Sequence, residues 1–352
     1  MQIGKKELEK EIQAMRASGE EIYSFSKLET ANDCPYAYKL AYIDKRKDLS
    51  QDNIYSVMGS VIHDALEKTY NGEEVDIKKE FDEGYDKCKN DGYDFPDLNI
   101  KEGYMKCMHH YIENFKKDEF NSIQEYVFLT DIDGIKVTGF IDRITKDPDS
   151  EEKTLRIIDY KTSTAYAKKD LAKKGRQLIL YAYALEKEKG VKVTKVCWNM
   201  LKYVNVYYSG KTRKKKTLYR RDEYVMAWKD EIIKELESLG YDIVEALDIF
   251  MENAVINVIP EQVADKFKIT EGYLEYEYNE ETKQDLIDYV KDSVKKIKEL
   301  KEFKPKNIDY FNKFSCQTLC NFRDHCPALK KHNDALNEIY EESDDIDFED
   351  IF

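Results

Sequence analysis

The chain has 352 residues, of which 41% are hydrophobic and 36% are charged, enough for one large or two modest domains with a substantial core. Its 71 acidic and 57 basic residues give a net charge of −14, which argues against a general nucleic-acid coat protein but permits an enzyme with a local basic track. No apolar run is long enough to span a membrane, and the amino terminus lacks the apolar core of a signal peptide. We therefore expect a soluble, cytoplasmic protein with no membrane contact.

Helices are predicted in the first third of the chain. Apolar residues recur at helical spacing in residues 5–17 and in residues 54–70, IYSVMGSVIHDALEKTY. Further helices are expected at 77–90 and 99–118. The second predicted helix carries His63, which taken alone is more often a packed or surface residue than a metal ligand.

The pattern changes to strands after residue 121. SIQEYVFLTDIDGIKVTGFIDRITKD predicts two strands joined by a tight turn at Asp133-Gly134. LRIIDYKT predicts a third strand, residues 168–188 a helix, and VTKVCWNML with VNVYY two more strands. This order is typical of an α/β unit with helical additions. Residues 221–340 are expected to be mostly helical.

Two carboxylates are expected at one edge of this sheet. Asp159 and Lys161 alternate along the third strand and so share a face, while Tyr160 points to the other. Asp142 lies one strand earlier. Carboxylates on adjacent strands suit Mg²⁺ or Mn²⁺, and Lys161 could then orient or deprotonate a metal-bound water or stabilise charge on a phosphate. The D-x-K tripeptide alone would more often be a simple ion pair, so its neighbours carry the prediction.

The helix that follows places two polar side chains on one face. Gln177 and Tyr181 are four residues apart and therefore neighbours on the helix surface. The alternative is that they form the ordinary polar edge of an amphipathic helix.

Seven cysteines, an odd number in a chain without a predicted signal peptide, point away from a disulfide framework. CQTLCNFRDHCP places Cys316, Cys320 and Cys326 within eleven positions. Cys34, near the other end of the chain, is the candidate fourth ligand, and both Cys34 and Cys326 precede a proline. Four thiolates could bind Zn²⁺ or a [4Fe–4S] cluster, and their chemistry alone does not separate these. The other three cysteines are interpreted as ordinary thiols.

Basic residues concentrate in one segment, SGKTRKKKTLYRR, at 209–221. They are candidate phosphate contacts, with a solvated turn as the alternative. The candidate nucleic-acid-binding residues are Lys211, Arg213, Lys214, Lys215, Lys216 and Arg220. Its GKT is not a P-loop, because Asn205 stands where the first glycine is needed.

The chain is expected to form one domain, residues 1–340, followed by an acidic tail at 341–352. The tail, EESDDIDFEDIF, carries seven acids and is predicted to be disordered. Its apolar residues could dock into a basic groove on a replication or recombination protein, or the tail could only add charge.

Four motifs in order carry a family resemblance: G-S-V-I-H (59–63), G-F-I-D-R (139–143), I-I-D-Y-K-T (157–162) and Q-L-I-L-Y (177–181). With them the chain resembles the RecB-like branch of the PD-(D/E)xK nuclease superfamily. It is similar in particular to the CRISPR-associated RecB-like exonucleases and the nuclease domain of the AddB helicase–nuclease subunit. The resemblance implies a restriction-endonuclease-like α/β core, with a mixed central sheet flanked by helices and helical additions.

The resemblance also implies roles for individual residues. Those matched to the metal site are His63, Asp142, Asp159, the Tyr160 carbonyl and, less securely, Glu125. Those matched to catalysis and its support, beside the two aspartates, are Lys161, Gln177 and Tyr181. In relatives with a cluster, one cysteine before the histidine motif joins three near the carboxyl end, which favours [4Fe–4S] over Zn²⁺ here. C-x3-C between Cys316 and Cys320 departs from the more usual C-x2-C.

The function that the resemblance implies is metal-dependent hydrolysis of DNA by an activated water, without a covalent intermediate. An exonuclease acting at DNA ends, in recombination, repair, replication or processing, is expected. Two alternatives stay open: a catalytically silent DNA-binding or scaffold subunit of the same fold, and a nuclease directed at RNA.

Overall fold

The computed structural model describes residues 5–150, 152–210 and 213–344, with side chains for all of these except 213–217 and 338–344. It confirms the predicted α/β architecture, a mixed seven-stranded sheet flanked by helices. The twelve α-helices of the described residues are α1 (Lys5–Ala17), α2 (Phe25–Asp33), α3 (Pro35–Tyr38), α4 (Ile54–Tyr70), α5 (Ile77–Asn90), α6 (Leu98–Asn114), α7 (Leu171–Lys189), α8 (Tyr224–Ala227), α9 (Lys229–Ser238), α10 (Ile243–Ile256), α11 (Glu280–Glu299) and α12 (Pro327–Asp344).

The strands are β1 (Ile22–Tyr23), β2 (Ser122–Ile132), β3 (Ile135–Lys146), β4 (Leu155–Lys161), β5 (Val193–Gly210), β6 (Arg213–Arg220) and β7 (Phe267–Tyr276). β2 pairs antiparallel with β3 along its length, and β1 and β4 share the other edge of β3. β5 pairs parallel with β4 and then antiparallel with β6, while β7 runs along its opposite edge. The long strand β5 therefore joins two halves of the sheet.

The predicted hairpin between β2 and β3 is confirmed. Asp133 and Gly134 have φ angles of 49° and 83°, the left-handed values that a tight two-residue turn needs. Ile132 and Ile135 pair directly across the turn, which fixes the register of all the residues that follow. The turn thus decides which residues of β3 face Glu125 and its neighbours on β2.

Strand β4 is buried on both faces, as its continuous apolar run requires. Ile157 packs into the core beneath α7, together with Leu178 and Trp198. Ile158 and Tyr160 pack on the opposite face against a second core built from α4, α5 and α6. The end of β4 is therefore held between α7 on one side and α4 on the other.

The strands β1, β6 and β7 were not predicted, and the two strands predicted for VTKVCWNML and VNVYY form the single strand β5. β7 lies in a region expected to be mostly helical, yet it pairs with β5 along both halves. Gly272 lies where a Cβ would come within 2.7 Å of the Met200 and Tyr203 carbonyl oxygens, so the strand needs a glycine at this close approach.

Helix α12 includes residues 341–344, the first four of the predicted acidic tail, and the rest of the tail lies outside the described residues. Within the described part of the chain, no helix combines the length and the apolar character that crossing a membrane requires.

Candidate active site and cysteine cavity

Strands β3 and β4 stop pairing just before Asp142 and Asp159, whose carboxylates lie at this point of the sheet. Their ladder ends at the pair Arg143–Ile158, so Asp142 and Asp159 are the next residues along, just beyond the last pair. The Asp142 Oδ2 accepts a hydrogen bond of 2.7 Å from the Tyr160 backbone N–H. This bond fixes the Asp142 carboxylate beside β4, at the opening between the two strands.

Helix α4 brings His63 to the same opening. Its Nε2 lies 3.1 Å from the Tyr160 carbonyl oxygen and its Nδ1 lies 3.6 Å from Asp142 Oδ2. Because a carbonyl only accepts hydrogen bonds, Nε2 must carry the proton in this contact. The Nδ1 lone pair is then free to face the carboxylate, or a cation bound between them.

Glu125 on β2 has an unusual backbone. Its φ angle is +47°, within a strand where its neighbours Gln124 and Tyr126 keep regular pairing with β3. A left-handed conformation at a residue other than glycine costs on the order of 1 kcal/mol, and such strain concentrates at functional sites. Burial, reinforced by the Asp142 carboxylate, raises the pKa of Glu125 to about 7.

These three side chains form a group of possible metal ligands. One ligand atom from each of His63, Glu125 and Asp142 lies within 4.8 Å of the other two, and this is the one such group of three among the described residues. Two carboxylates and an imidazole suit a divalent cation. Asp159 is not in the group.

Asp159 is paired with Lys161 instead. The Lys161 Nζ lies 2.7 Å from Asp159 Oδ2, and the aspartate is fully buried. Burial raises the pKa of Asp159, with Asp142 adding to it and Lys161 opposing it. Burial favours the neutral amine of Lys161, but the carboxylates of Asp159 and Asp142 outweigh it and hold the lysine pKa above its usual value. Lys161 is therefore a cation at neutral pH.

Helix α7 closes the site from one side. Gln177 Nε2 donates a hydrogen bond of 2.7 Å to the Tyr181 hydroxyl, and both side chains line a cavity of about 630 Å³ together with Asp142. Burial and the two aspartates hold the pKa of Tyr181 well above its usual value. The tyrosine therefore stays protonated and can donate its own hydrogen bond toward the carboxylates.

A second cavity lies on the other side of the site. It measures about 880 Å³ and is lined by His63 and Lys161 together with Lys202, Arg220 and Phe314. Sequence reasoning missed Lys202 and Phe314. Lys202 follows the buried run VCWNML on β5, and a lysine that interrupts a buried strand is a signal that could have found it.

The structure describes only part of the basic segment 209–221. Arg220 lines the cavity beside Lys161 and is ion-paired with Asp222 at 2.6 Å. The backbone of Arg213, Lys214, Lys215 and Lys216 belongs to β6. Their side chains, and all of Lys211, lie outside the described residues, so their predicted role as phosphate contacts stays a prediction.

The four predicted cluster cysteines meet at one cavity. Cys34, Cys316, Cys320 and Cys326 all line a space of about 690 Å³, although Cys34 is nearly three hundred residues from the others. Burial raises the pKa of the Cys316 and Cys320 thiols, and the other sulfurs raise it further. No three of these described sulfurs lie within 4.8 Å of one another.

Two of these cysteines stand at helix starts. Cys34 is the N-cap of α3 and Cys326 directly precedes α12, each followed by proline as the first helical residue. Cys316 lies in a π-helical turn, Ser315–Leu319, a feature frequent at functional sites.

The mixed sheet with two carboxylates and a lysine at the ends of neighbouring strands is the arrangement of restriction-endonuclease-like nucleases. The chain matches the family model of the PD-(D/E)XK nuclease superfamily over residues 22–327, and it belongs to that superfamily. The predicted superfamily and fold are confirmed. Members of this superfamily typically use Mg²⁺ or Mn²⁺, which suits the ligand group described above.

Two solved structures are similar to the chain. One is SSO0001, at 13% identity and a TM-score of 0.28, covering 71% of this chain and 83% of that one. The other is a predicted exonuclease from Eubacterium rectale, at 12% identity and a TM-score of 0.32, covering 77% of this chain and 90% of that one. Among curated proteins, none matches the chain.

Proposed function

We propose that this protein is a metal-dependent DNA nuclease of the RecB-like branch, acting as an exonuclease at DNA ends in recombination, repair, replication or processing. The observation that carries the proposal is the group of His63, Glu125 and Asp142 beside the Asp159–Lys161 pair. Superfamily membership supports phosphodiester hydrolysis as the reaction class. The DNA substrate and the exonuclease mode come from the motif resemblance.

The chemistry of the donor set fits Mg²⁺ or Mn²⁺. Burial and, after it, the nearby Asp142 carboxylate raise the pKa of Glu125, and a cation between the two carboxylates would relieve their repulsion. His63, Asp142 and Glu125 would hold the metal, with Asp159 and the Tyr160 carbonyl as further oxygen ligands on the adjacent strand. A bound metal supplies an activated water and polarises the scissile phosphate.

The protein side chains contribute position and charge. Lys161 can donate hydrogen bonds to a phosphate oxygen and stabilise negative charge there. Asp159 holds Lys161 in place through their ion pair. Tyr181, oriented by Gln177, closes the site above the carboxylates.

The experiment that tests this function is hydrolysis of linear and circular DNA, single- and double-stranded, with Mg²⁺ or Mn²⁺. We expect degradation of linear substrates only, and a loss of about 100- to 1,000-fold in Lys161→Ala. Lys146→Ala, an exposed lysine at the end of β3, is the matched control and should keep full activity.

Other outcomes identify the alternatives. Cutting of circles would make the protein an endonuclease. Hydrolysis of RNA alone would redirect the proposal to RNA, and no metal-dependent activity on any nucleic acid would favour the silent scaffold. Full activity in Lys161→Ala would contradict the assigned site.

We also propose that Cys34, Cys316, Cys320 and Cys326 hold a structural [4Fe–4S] cluster. Four thiols around one cavity could hold this cluster or Zn²⁺, and the motif resemblance favours the cluster. Such a cluster would join the two ends of the chain, as metals do in folding-linked sites.

The acidic segment 341–352 stays a proposed contact for a replication or recombination partner. Its seven acids and four apolar residues suit a basic groove with apolar pockets. Removing residues 345–352 should leave hydrolysis of naked DNA unchanged and weaken capture of such a partner in a binding assay.

A further inference from the structure

The cavity beside Lys161 differs in charge from its counterpart on the α7 side. Among the described residues that line it there is no acid, while Lys161, Lys202 and Arg220 are three basic side chains. The cavity on the α7 side has two acids, Glu9 and Asp142, and one base, Arg16, in its wall. A polyanion would therefore enter the first cavity in preference to the second.

Of the three basic side chains in this cavity, Lys202 is the one that no acid of the described residues holds in an ion pair. Its Nζ lies 5.3 Å from the centre of the Tyr104 ring, and no carboxylate of the described residues lies within ion-pairing distance. Arg220, in contrast, is held by Asp222, and Lys161 by Asp159. A half-buried lysine without an acid partner is suited to a phosphate group.

Exposed aromatic side chains precede Phe314 in the chain, and one of them, Phe311, lines the cysteine cavity. Phe314 itself lines the cavity beside Lys161 and packs edge-on against Tyr55 of α4, with ring centres 6.0 Å apart. A few residues earlier, Tyr310 and Phe311 are 90% and 89% exposed, the most exposed large apolar side chains of the described chain. The Asp309 carboxylate accepts hydrogen bonds from the Phe311 and Asn312 N–H groups, which fixes the turn that presents the pair.

The segment also carries a small net positive charge, with Lys304 ion-paired to Glu302 and Lys306 to Asp33. Residues 301–314, KEFKPKNIDYFNKF, contain four lysines and two acids, with aromatic side chains between them. Basic residues interleaved with exposed aromatic rings are the combination that binds unpaired nucleic acid, because every base has a face that can stack on a ring. Paired bases are already stacked and offer no such face.

We propose that the cavity beside Lys161 and the segment 301–314 form one path for an unpaired DNA strand, with Lys202 contacting a phosphate and Tyr310 and Phe311 stacking on bases. The proposal rests on the proposed nuclease function for treating this strand as the substrate. It places the single strand on the side of His63 and Lys161, and it makes Lys202, Tyr310 and Phe311 residues that select unpaired over paired DNA.

The test measures binding of a labelled oligothymidylate and of a duplex of the same length, using full-length protein with Asp142→Asn so that the DNA persists. Tyr310→Ala with Phe311→Ala should weaken single-strand binding about tenfold or more and duplex binding less than about twofold. Phe120→Ala, an exposed aromatic residue elsewhere, is the control and should change neither.

The role of Lys202 is tested by the salt dependence of DNA binding. Lys202→Met keeps most of the side-chain bulk and removes one phosphate contact, so the slope of log affinity against log salt should fall by about 0.7 for the single strand. Lys146→Met should leave the slope unchanged. A purely structural role for Lys202 would lower affinity without changing the slope.

Equal losses for single strand and duplex, or no loss at all, would overturn the proposal. The nuclease function fails in a different way. If the protein binds the single strand as described but hydrolyses no nucleic acid with Mg²⁺ or Mn²⁺, the binding path stands and the proposed catalysis is wrong. Hydrolysis with unaltered single-strand binding in the variants would reject the path alone.

Discussion

The two candidate metal sites are built in opposite ways. At the sheet edge, His63, Glu125 and Asp142 are carried by one helix and two strands, and their ligand atoms already lie within 4.8 Å of one another. The cysteines come from short turns and helix starts near the two ends of the chain, and their sulfurs surround a cavity more widely. The first site is positioned by the sheet, whereas the four cysteines of the second lie in turns and at helix starts.

This difference predicts different roles for the two proposed metals. A group held by paired strands keeps its shape when the cation leaves, so its metal would serve the chemistry. Four thiols from distant segments have no such scaffold, so their metal would contribute to folding. The predictions below separate activity from stability at each site.

The largest effect is expected at the sheet edge. Asp142→Asn removes a carboxylate from the ligand group while keeping its size, so hydrolysis should fall about 1,000-fold. The melting temperature should not fall, because the variant also removes repulsion from Glu125. Activity assays and thermal unfolding check this, with the exposed Asp292→Asn as control. A melting temperature several degrees lower would show that the carboxylate is structural.

At the cysteine cavity, substitution should lower stability more than activity. Cys320→Ser replaces a proposed cluster ligand, so the purified protein should lose iron and visible colour and unfold several degrees lower. Activity per folded molecule should change less than in Asp142→Asn. Cys88→Ser, at a buried cysteine away from the cavity, is the matched control, because it should keep the iron. Unchanged iron content, colour and melting temperature in Cys320→Ser would contradict the cluster.

Sequence patterns predicted most of this fold because local chemistry decides it. The Asp133-Gly134 turn, α4 and the buried strand β4 each follow from periodicity or turn residues. β7 escaped prediction because only its contacts with β5 show why a glycine interrupts it. At the site, the motifs located Asp142 and Asp159. They did not show that Asp159 pairs with Lys161 while Asp142 lies with Glu125 and His63. That division depends on side-chain geometry.

The acidity of the sheet edge gives a third prediction. Burial raises the pKa of Glu125 to about 7, well above its value in an unfolded chain. The metal-free protein therefore holds a proton that the unfolded chain has lost, and its stability should fall as pH rises from about 4.5 to about 7. Metal binding requires the ionised form, so Mn²⁺ affinity should instead rise over this range. Thermal unfolding and calorimetric titration at about pH 5.5 and pH 7.5 measure both trends, and parallel trends would contradict the assignment.

The smallest effect concerns the strained backbone of Glu125. Asparagine tolerates a positive φ angle better than glutamate, so Glu125→Asn should relieve strain and remove a buried acid, raising stability by up to about 1 kcal/mol. It should at the same time weaken Mn²⁺ binding, because the carboxylate is lost. Stability and metal affinity would then move in opposite directions.

Asp133→Gly provides the comparison for that last change. Asp133 has nearly the same φ angle, 49°, but lies in the hairpin turn away from the ligand group. Its substitution removes an ion pair with Lys291 and adds glycine's entropy cost, so stability should change by less than about 1 kcal/mol while Mn²⁺ affinity stays unchanged. If Glu125→Asn also leaves metal affinity unchanged, the strain at Glu125 belongs to the strand geometry alone, and the metal site reduces to His63 and the two aspartates.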